Sequence, residues 1–137
     1  MSFGIDKKNQ RFLFFTGGSD VIAAGATSFI ATGGSITDST TEAQRQLHIP
    51  FACVMNELTV IIANGQPASG SMVFTVRKNG ANTSIVLTIA ANASAGTYTS
   101  TSSLTATFAA NDLLSVQVVN NASGNSGAIK SWSIKTT

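Results

Sequence analysis

The strongest signal in this sequence is a two-residue alternation of apolar and polar positions between Ser71 and Asn120. Phe74 and Val76 alternate with Thr75 and Arg77, and Ile85, Leu87 and Ile89 share a face with Ser84 and Thr88 opposite. Further on, Leu104, Ala106 and Phe108 alternate with Thr105 and Thr107, then Leu114, Val116 and Val118 with Ser115 and Gln117. Successive side chains of a strand point to opposite faces, so the pattern predicts strands buried on one face and wetted on the other. The turns between them have chemistry of their own. Asn79-Gly80 joins the first two runs, and both residues tolerate the positive φ that a two-residue hairpin needs. Ala109 to Asp112 joins the last two, with the Asp112 side chain expected to bond nearby backbone amides.

The remaining elements follow the same logic. Residues 1–10 hold much of the local charge and read as an extended N-terminal arm; residues 11–137 read as a single domain. Arg11 to Phe15 is a short aromatic strand, and Thr27 to Thr32 another, ended by Gly33-Gly34. Asp38 to Glu42 (DSTTE) reads as a flexible polar loop. Cys53 to Ala63 is the best long strand, with Leu58, Val60 and Ile62 facing one way. Asn64 to Gly70 and Asn120 to Gly127 are loops by composition. The last strand, Ala128 to Thr136, sets Trp132 and Ile134 against Ser131, Ser133 and Lys135. Eight to ten short strands, closely spaced and without a helical pattern, predict an all-β antiparallel sandwich. A jelly roll is favoured for this strand number, with an immunoglobulin-like sandwich as the alternative.

Composition changes this picture in one respect. Only 10% of residues are charged, against roughly 25% in ordinary globular chains. The polar surface therefore falls to Ser, Thr, Asn, Gln and Gly, and copies of such a surface repel one another weakly. Self-association is the expectation. Eight cations against six anions give a net charge of +2. There is no basic stripe interleaved with aromatics, so nucleic acid is not an expected partner. The one cysteine, Cys53, lies in an apolar run and reads as a small core residue. No apolar run is long enough to span a bilayer, and MSFGIDKKNQR has no signal-peptide core. Synthesis in a cytoplasm without export or membrane insertion is expected.

Candidate chemistry is sparse. One histidine, His48, and six scattered acids leave no ligand set for a metal, and no G-x-S-x-G elbow is present. No catalytic residue and no cofactor is expected, which also removes the ligand set that a hydrolase on this frame would need. The aromatics point elsewhere. Phe12, Phe14 and Phe15 cannot all face one core if their strand alternates, so a subunit interface is their expected role. Tyr98 stands in a Ser/Thr-rich stretch and is a candidate for stacking on a sugar, or else a loop tyrosine with its hydroxyl satisfied.

The run TVRKNGANTSIVLTIAANASAGTYTS, followed by LTATFAANDLLSVQVV, resembles a pattern in small β-sandwich proteins of tailed-phage and prophage virions. The matching positions are Phe74, Thr75, Val76, Arg77, Asn79, Gly80 and Thr83, then Asp112, Leu113, Leu114, Ser115 and Val118. The strand arithmetic is also similar to that of the trimeric C1q/TNF-type jelly rolls. The resemblance implies a virion component, and the absence of a collagen-like or coiled-coil stalk favours a compact one on the shell. The expectation is a non-enzymatic homotrimeric capsid decoration (cement) protein bound to the major capsid protein at the outer capsid surface. Phe3, Ile5, Lys7, Lys8 and Arg11 would form its capsid-contact arm. The alternative is a receptor- or glycan-binding tip of a head fibre or tail, recognising a host-surface glycan through Asp38, Glu42, Tyr98 and Asn121.

Overall fold

The computed structural model describes residues 11–15 (backbone only), 21–32 and 37–137. They form ten strands and one short 3-10 turn, with no α-helix among the described residues. One sheet contains β1 (Arg11–Phe15), β10 (Ile129–Thr136), β4 (Cys53–Ile62) and, end to end along β4, β7 (Gly96–Thr99) and β8 (Thr105–Phe108). The other contains β2 (Thr27–Phe29) and β3 (Leu47–His48), both against β9 (Leu113–Asn120), followed by β5 (Met72–Lys78) and β6 (Ala81–Ile89). Every pairing is antiparallel. First strand pairs with last and second with next-to-last, so the chain is a long ribbon folded over into two four-strand layers. That order is the jelly roll, which settles the choice left open by the strand count.

The core lies between the layers and is the set of positions the alternation marks. Leu58, Val60, Ile62, Trp132 and Ile134 face inward from the first sheet, and Phe74, Val76, Ile85, Leu114 and Val116 from the second. Each is at most 2% exposed, and burying one such side chain stabilises the fold by about 1.5–3 kcal/mol. The hairpin is as its dipeptide predicts: Asn79 (φ 50°) and Gly80 (φ 81°) both take positive φ, and Lys78 pairs with Ala81 directly across them.

Two local departures from strict alternation matter. Glu57 has φ 45° and forms a bulge in β4, so Ile134 pairs with Leu58 while Lys135 pairs with Asn56. The extra residue reverses the strand's parity, which is why Met55 and Leu58 are both fully buried although one is odd and the other even. In β6 the register slips at Thr83, whose hydroxyl donates to Val76 O at 2.8 Å and accepts from Ile85 N at 3.2 Å. A side chain thus takes over where the ladder is broken.

Trp132 is 2% exposed, and its Nε1–H donates to Ala31 O at 2.8 Å. Trp132→Phe should cost about 2 kcal/mol, because the ring shrinks and a buried carbonyl loses its donor. Since this is the sole tryptophan, wild-type fluorescence should be blue-shifted and insensitive to iodide. Equilibrium urea unfolding checks the first expectation and a quenching titration the second.

Candidate functional site

Four places bring polar or chemically distinctive side chains together. At the hairpin end, Asn79 and Asp112 lock β5 to β9. Asn79 Nδ2 donates to Asp112 Oδ1 (2.8 Å), and Asn79 Oδ1 accepts from Leu113 N (2.8 Å). The other Asp112 oxygen accepts from Ala109 N (2.7 Å) and lies 3.3 Å from Lys78 Nζ. The Asn79 amide, the Ala109 N–H and the Lys78 ammonium together hold the Asp112 carboxyl below its ordinary range. Lys78 also donates to Thr107 O (2.9 Å) and stands 5.8 Å from the centre of the Phe108 ring. His48 Nε2 meets Asn111 Oδ1 at 2.9 Å on the same end.

The second place is the outer face of the β2/β3–β9–β5–β6 sheet, which residues 37–46 partly roof. Ser39 bridges to Phe29 through two backbone hydrogen bonds, and the 3-10 turn Glu42–Arg45 packs on β9 and β2. Arg77 lies at its centre. Its guanidinium donates to Glu42 Oε1 (2.8 Å) and Oε2 (3.2 Å), to Asn82 Oδ1 and to Gly80 O, and sits 5.7 Å from the Phe29 ring centre. Ser115 Oγ donates to the same Glu42 oxygen at 2.6 Å. Hydrogen bonding from Arg77 and, less, from Ser115 lowers the Glu42 carboxyl below its usual 4.5 against the opposing effect of burial. The expectation of a wetted face at Ser115 therefore fails. It is 1% exposed, covered by the segment that holds its partner.

At the opposite end of the sandwich stands Asn120, fully buried. Its Nδ2 donates toward Ile22 O (2.9 Å), Ala23 O (3.1 Å) and Gly124 O (2.9 Å), and its Oδ1 accepts from Ala122 N (3.1 Å) and Gln66 Nε2 (3.4 Å). Ser126 adds a second tie, its Oγ accepting from Ile22 N at 2.8 Å. The stretch 120–127, expected from composition to be a flexible loop, is instead bonded into the chain entry at Ile22 and the loop at Gln66. Gly127 completes the fit, since a Cβ there would collide with Asn64 O.

The outer face of the β1–β10–β4–β7/β8 sheet is different in kind. On β4 it presents Val54, Thr59 and Ile61, on β7 and β8 Thr97, Thr99, Thr105 and Thr107, and on β10 Ser131 and Ser133. Thr59 and Thr99 satisfy each other through their hydroxyls at 2.9 Å. Charge enters at the exposed Lys130, beside the irregularity of β10, and at the margin, where Lys135 meets the bulged Glu57 at 3.7 Å. One acceptor of this face, Asn56 Oδ1, is shut away without a hydrogen-bond partner.

The residues singled out from sequence fall as follows. Phe3, Ile5, Lys7 and Lys8 lie outside the described residues. The backbone of β1 places Arg11 in register with Thr136, Phe12 with Lys135, Phe14 with Ser133 and Phe15 with Trp132; the contacts of their side chains lie outside what is described. Of the loop residues, Glu42 is bound to Arg77 near the hairpin end, whereas Asn121 donates its backbone N–H to Ser71 O at the far end of β5. Asp38, half-buried, keeps to the roof segment, where its carbonyl accepts from Arg45 Nη2 (3.4 Å). Tyr98 belongs to strand β7, packs against the core, and donates its hydroxyl to Ser94 O at 2.7 Å. The four do not converge on one surface. Cys53 packs against the core, and burial pushes its thiol up, away from the reactive thiolate form. Among the described residues, no three His, Cys, Asp or Glu side chains come together as a metal site. What sequence reading missed is the Thr/Ser/Val/Ile face, whose signal was the short β-branched residue at nearly every outward position of β4, β7 and β8.

Comparison with known proteins leaves the question to these observations: no protein-family model matches the chain, and no curated protein matches its sequence.

Proposed function

We propose that this chain is a non-enzymatic structural protein of a tailed-phage virion, a homotrimeric decoration protein held on the outer capsid surface through the major capsid protein. The observation that carries the reading is the hydroxyl-rich, sparsely charged outer face of the β1–β10–β4–β7/β8 sheet. A solvated sheet face gains nothing from excluding charge, whereas a face that meets another protein avoids the cost of desolvating it. The jelly-roll order adds support, being the arrangement implied by the resemblance to virion proteins. The matched residues themselves are consumed by the fold: Asn79 with Asp112 and Leu113, Thr83 with Val76, and Arg77 opposite Ser115. They support a shared scaffold, and the role rests on the surface. The glycan- or receptor-binding tip draws less support, since Glu42 and the Tyr98 hydroxyl already have partners inside the chain.

The reading makes a measurable claim. Light scattering of the purified protein should give three times the chain mass of 14.1 kDa. Mass spectrometry of virions from a phage that encodes it should find the chain in fixed ratio to the capsid protein. A monomer that is absent from such particles would sink the proposal.

A further inference from the structure

We infer that the outer face of the β1–β10–β4–β7/β8 sheet is the contact between copies of this chain. The inference rests on the self-associating reading above and adds which surface does it. The two sheets offer two outer faces, and they are not equivalent. One is already roofed by residues 37–46, with the Arg77–Glu42 ion pair beneath the roof and Phe29 and Ser115 reduced to 8% and 1% exposure. A second copy would have to displace that segment or dock beside it. The other face carries no such roof among the described elements.

Three properties fit this face to a neighbouring copy of the chain, which in a trimer would meet it with a different patch of its own surface. It is sparsely charged: Lys135 and Glu57 neutralise one another at its margin and Lys130 is exposed at the irregularity of β10, so a docking copy would strip water from few charges. Its side chains are cheap to immobilise. Val, Thr and Ile are held by branching at Cβ, and Ser is short, so docking forfeits far less rotamer freedom than the roughly 1.5–2 kcal/mol of a Lys or Arg. Its size is also adequate. Four strands spaced about 4.8 Å apart and the length of β4, about 30 Å, give a flat footprint of roughly 600 Å². The corrugated accessible surface is larger than that footprint, near the roughly 800 Å² per partner of a stable standard interface. Along the β1 edge of this face, Phe12 and Phe14 stand in register with Lys135 and Ser133 of β10.

The test compares solution masses of the full-length protein and two pairs of substitutions on this face. Thr59→Lys with Ile61→Lys charges the central strand, and Thr97→Lys with Thr107→Lys charges the edge, where all positions changed are already exposed. Val86→Lys, on the other outer face at 37% exposure, is the control. The expected result is an oligomeric wild type and control, with both charged pairs reduced to the single chain mass and Trp132 still protected from iodide. Should a charged, folded pair keep the wild-type mass, or should Val86→Lys dissociate the oligomer, the contact lies elsewhere and self-association stands. A wild type that is monomeric throughout overturns the contact and the trimer together. If the central pair fails to fold, the edge pair decides.

Discussion

Replacing Asn120 by Ala should destabilise the protein by about 4 kcal/mol, the largest effect expected of any single polar side chain described here. The side chain is fully buried and ties its own loop, at Ala122 and Gly124, to two segments remote in sequence, Ile22-Ala23 and Gln66. Truncation leaves the Gly124 carbonyl and the Ala122 N–H without their partner, at about 1–3 kcal/mol for each group that water cannot reach, and reduces the carbonyls of Ile22 and Ala23 to their bonds from Ser126 N and Ala26 N. The figure assumes that water enters to satisfy part of the set. Asn120→Asp tests the mechanism more sharply. Near neutral pH it sets a carboxylate against three carbonyl oxygens and should be worse than Ala. Burial and those oxygens raise the carboxyl's folded pKa, so the Asp variant should recover stability as the pH falls. The Ala variant should show no such recovery relative to wild type. Urea midpoints for the three proteins across a pH series measure this, and parallel curves would exclude the hydrogen-bond account.

The second large effect is expected at Arg77. Its side chain is 15% exposed and that of Glu42 18%, so the pair is mostly withdrawn from water. Arg77→Ala should cost about 3 kcal/mol, the low end for breaking a buried ion pair. Glu42 is then left with Ser115 alone, and the Phe29 ring loses its cover. Glu42→Gln should cost less, about 1–2 kcal/mol, because a neutral amide is left instead of a stranded charge. The pH dependence follows from the lowered Glu42 carboxyl. With the folded value below the unfolded one, the ionised pair contributes in full above 4.5. That contribution fades as the pH falls through the folded value. The advantage of wild type over Glu42→Gln should therefore shrink on the acid side only. A difference that stayed constant there would show that packing, and not the ion pair, holds the roof segment.

These expectations mark where sequence and structure part company. Periodicity located the strands of β5, β6, β9 and β10 because one face of each meets the core, and burial there acts on every second residue. It misjudged Ser115, where a remote segment covers the outward face; alternation reports which face a residue takes, not what comes to lie over it. The bulge at Glu57 was not legible. A parity reversal leaves Met55 and Leu58 looking like an apolar strand without preferred face. Asn120 and the stretch to Gly127 have the composition of a mobile loop, since Asn, Ser and Gly serve equally in loops that are free and in loops that are bonded. The candidate interface was the least legible part. Its residues are Thr, Ser, Val and Ile in strands, the types that β-structure prefers on any face. Only the pairing of β4 with β7, β8 and β10 collects them into one surface.

The pairing of first strand with last carries a kinetic consequence. Arg11 meets Thr136, and Thr27 meets Val119, so each sheet is closed by residues from opposite halves of the chain. Loop-closure entropy must be overcome before those contacts reward it, which places the domain among slow, millisecond-to-second folders. On the ribosome one edge of β4 can meet β7 and β8, but the edge that pairs with β10 stays open until almost the whole chain has emerged. The β5–β6 hairpin, closed by Asn79-Gly80, is the most local of the pairings, and folding is expected to begin there.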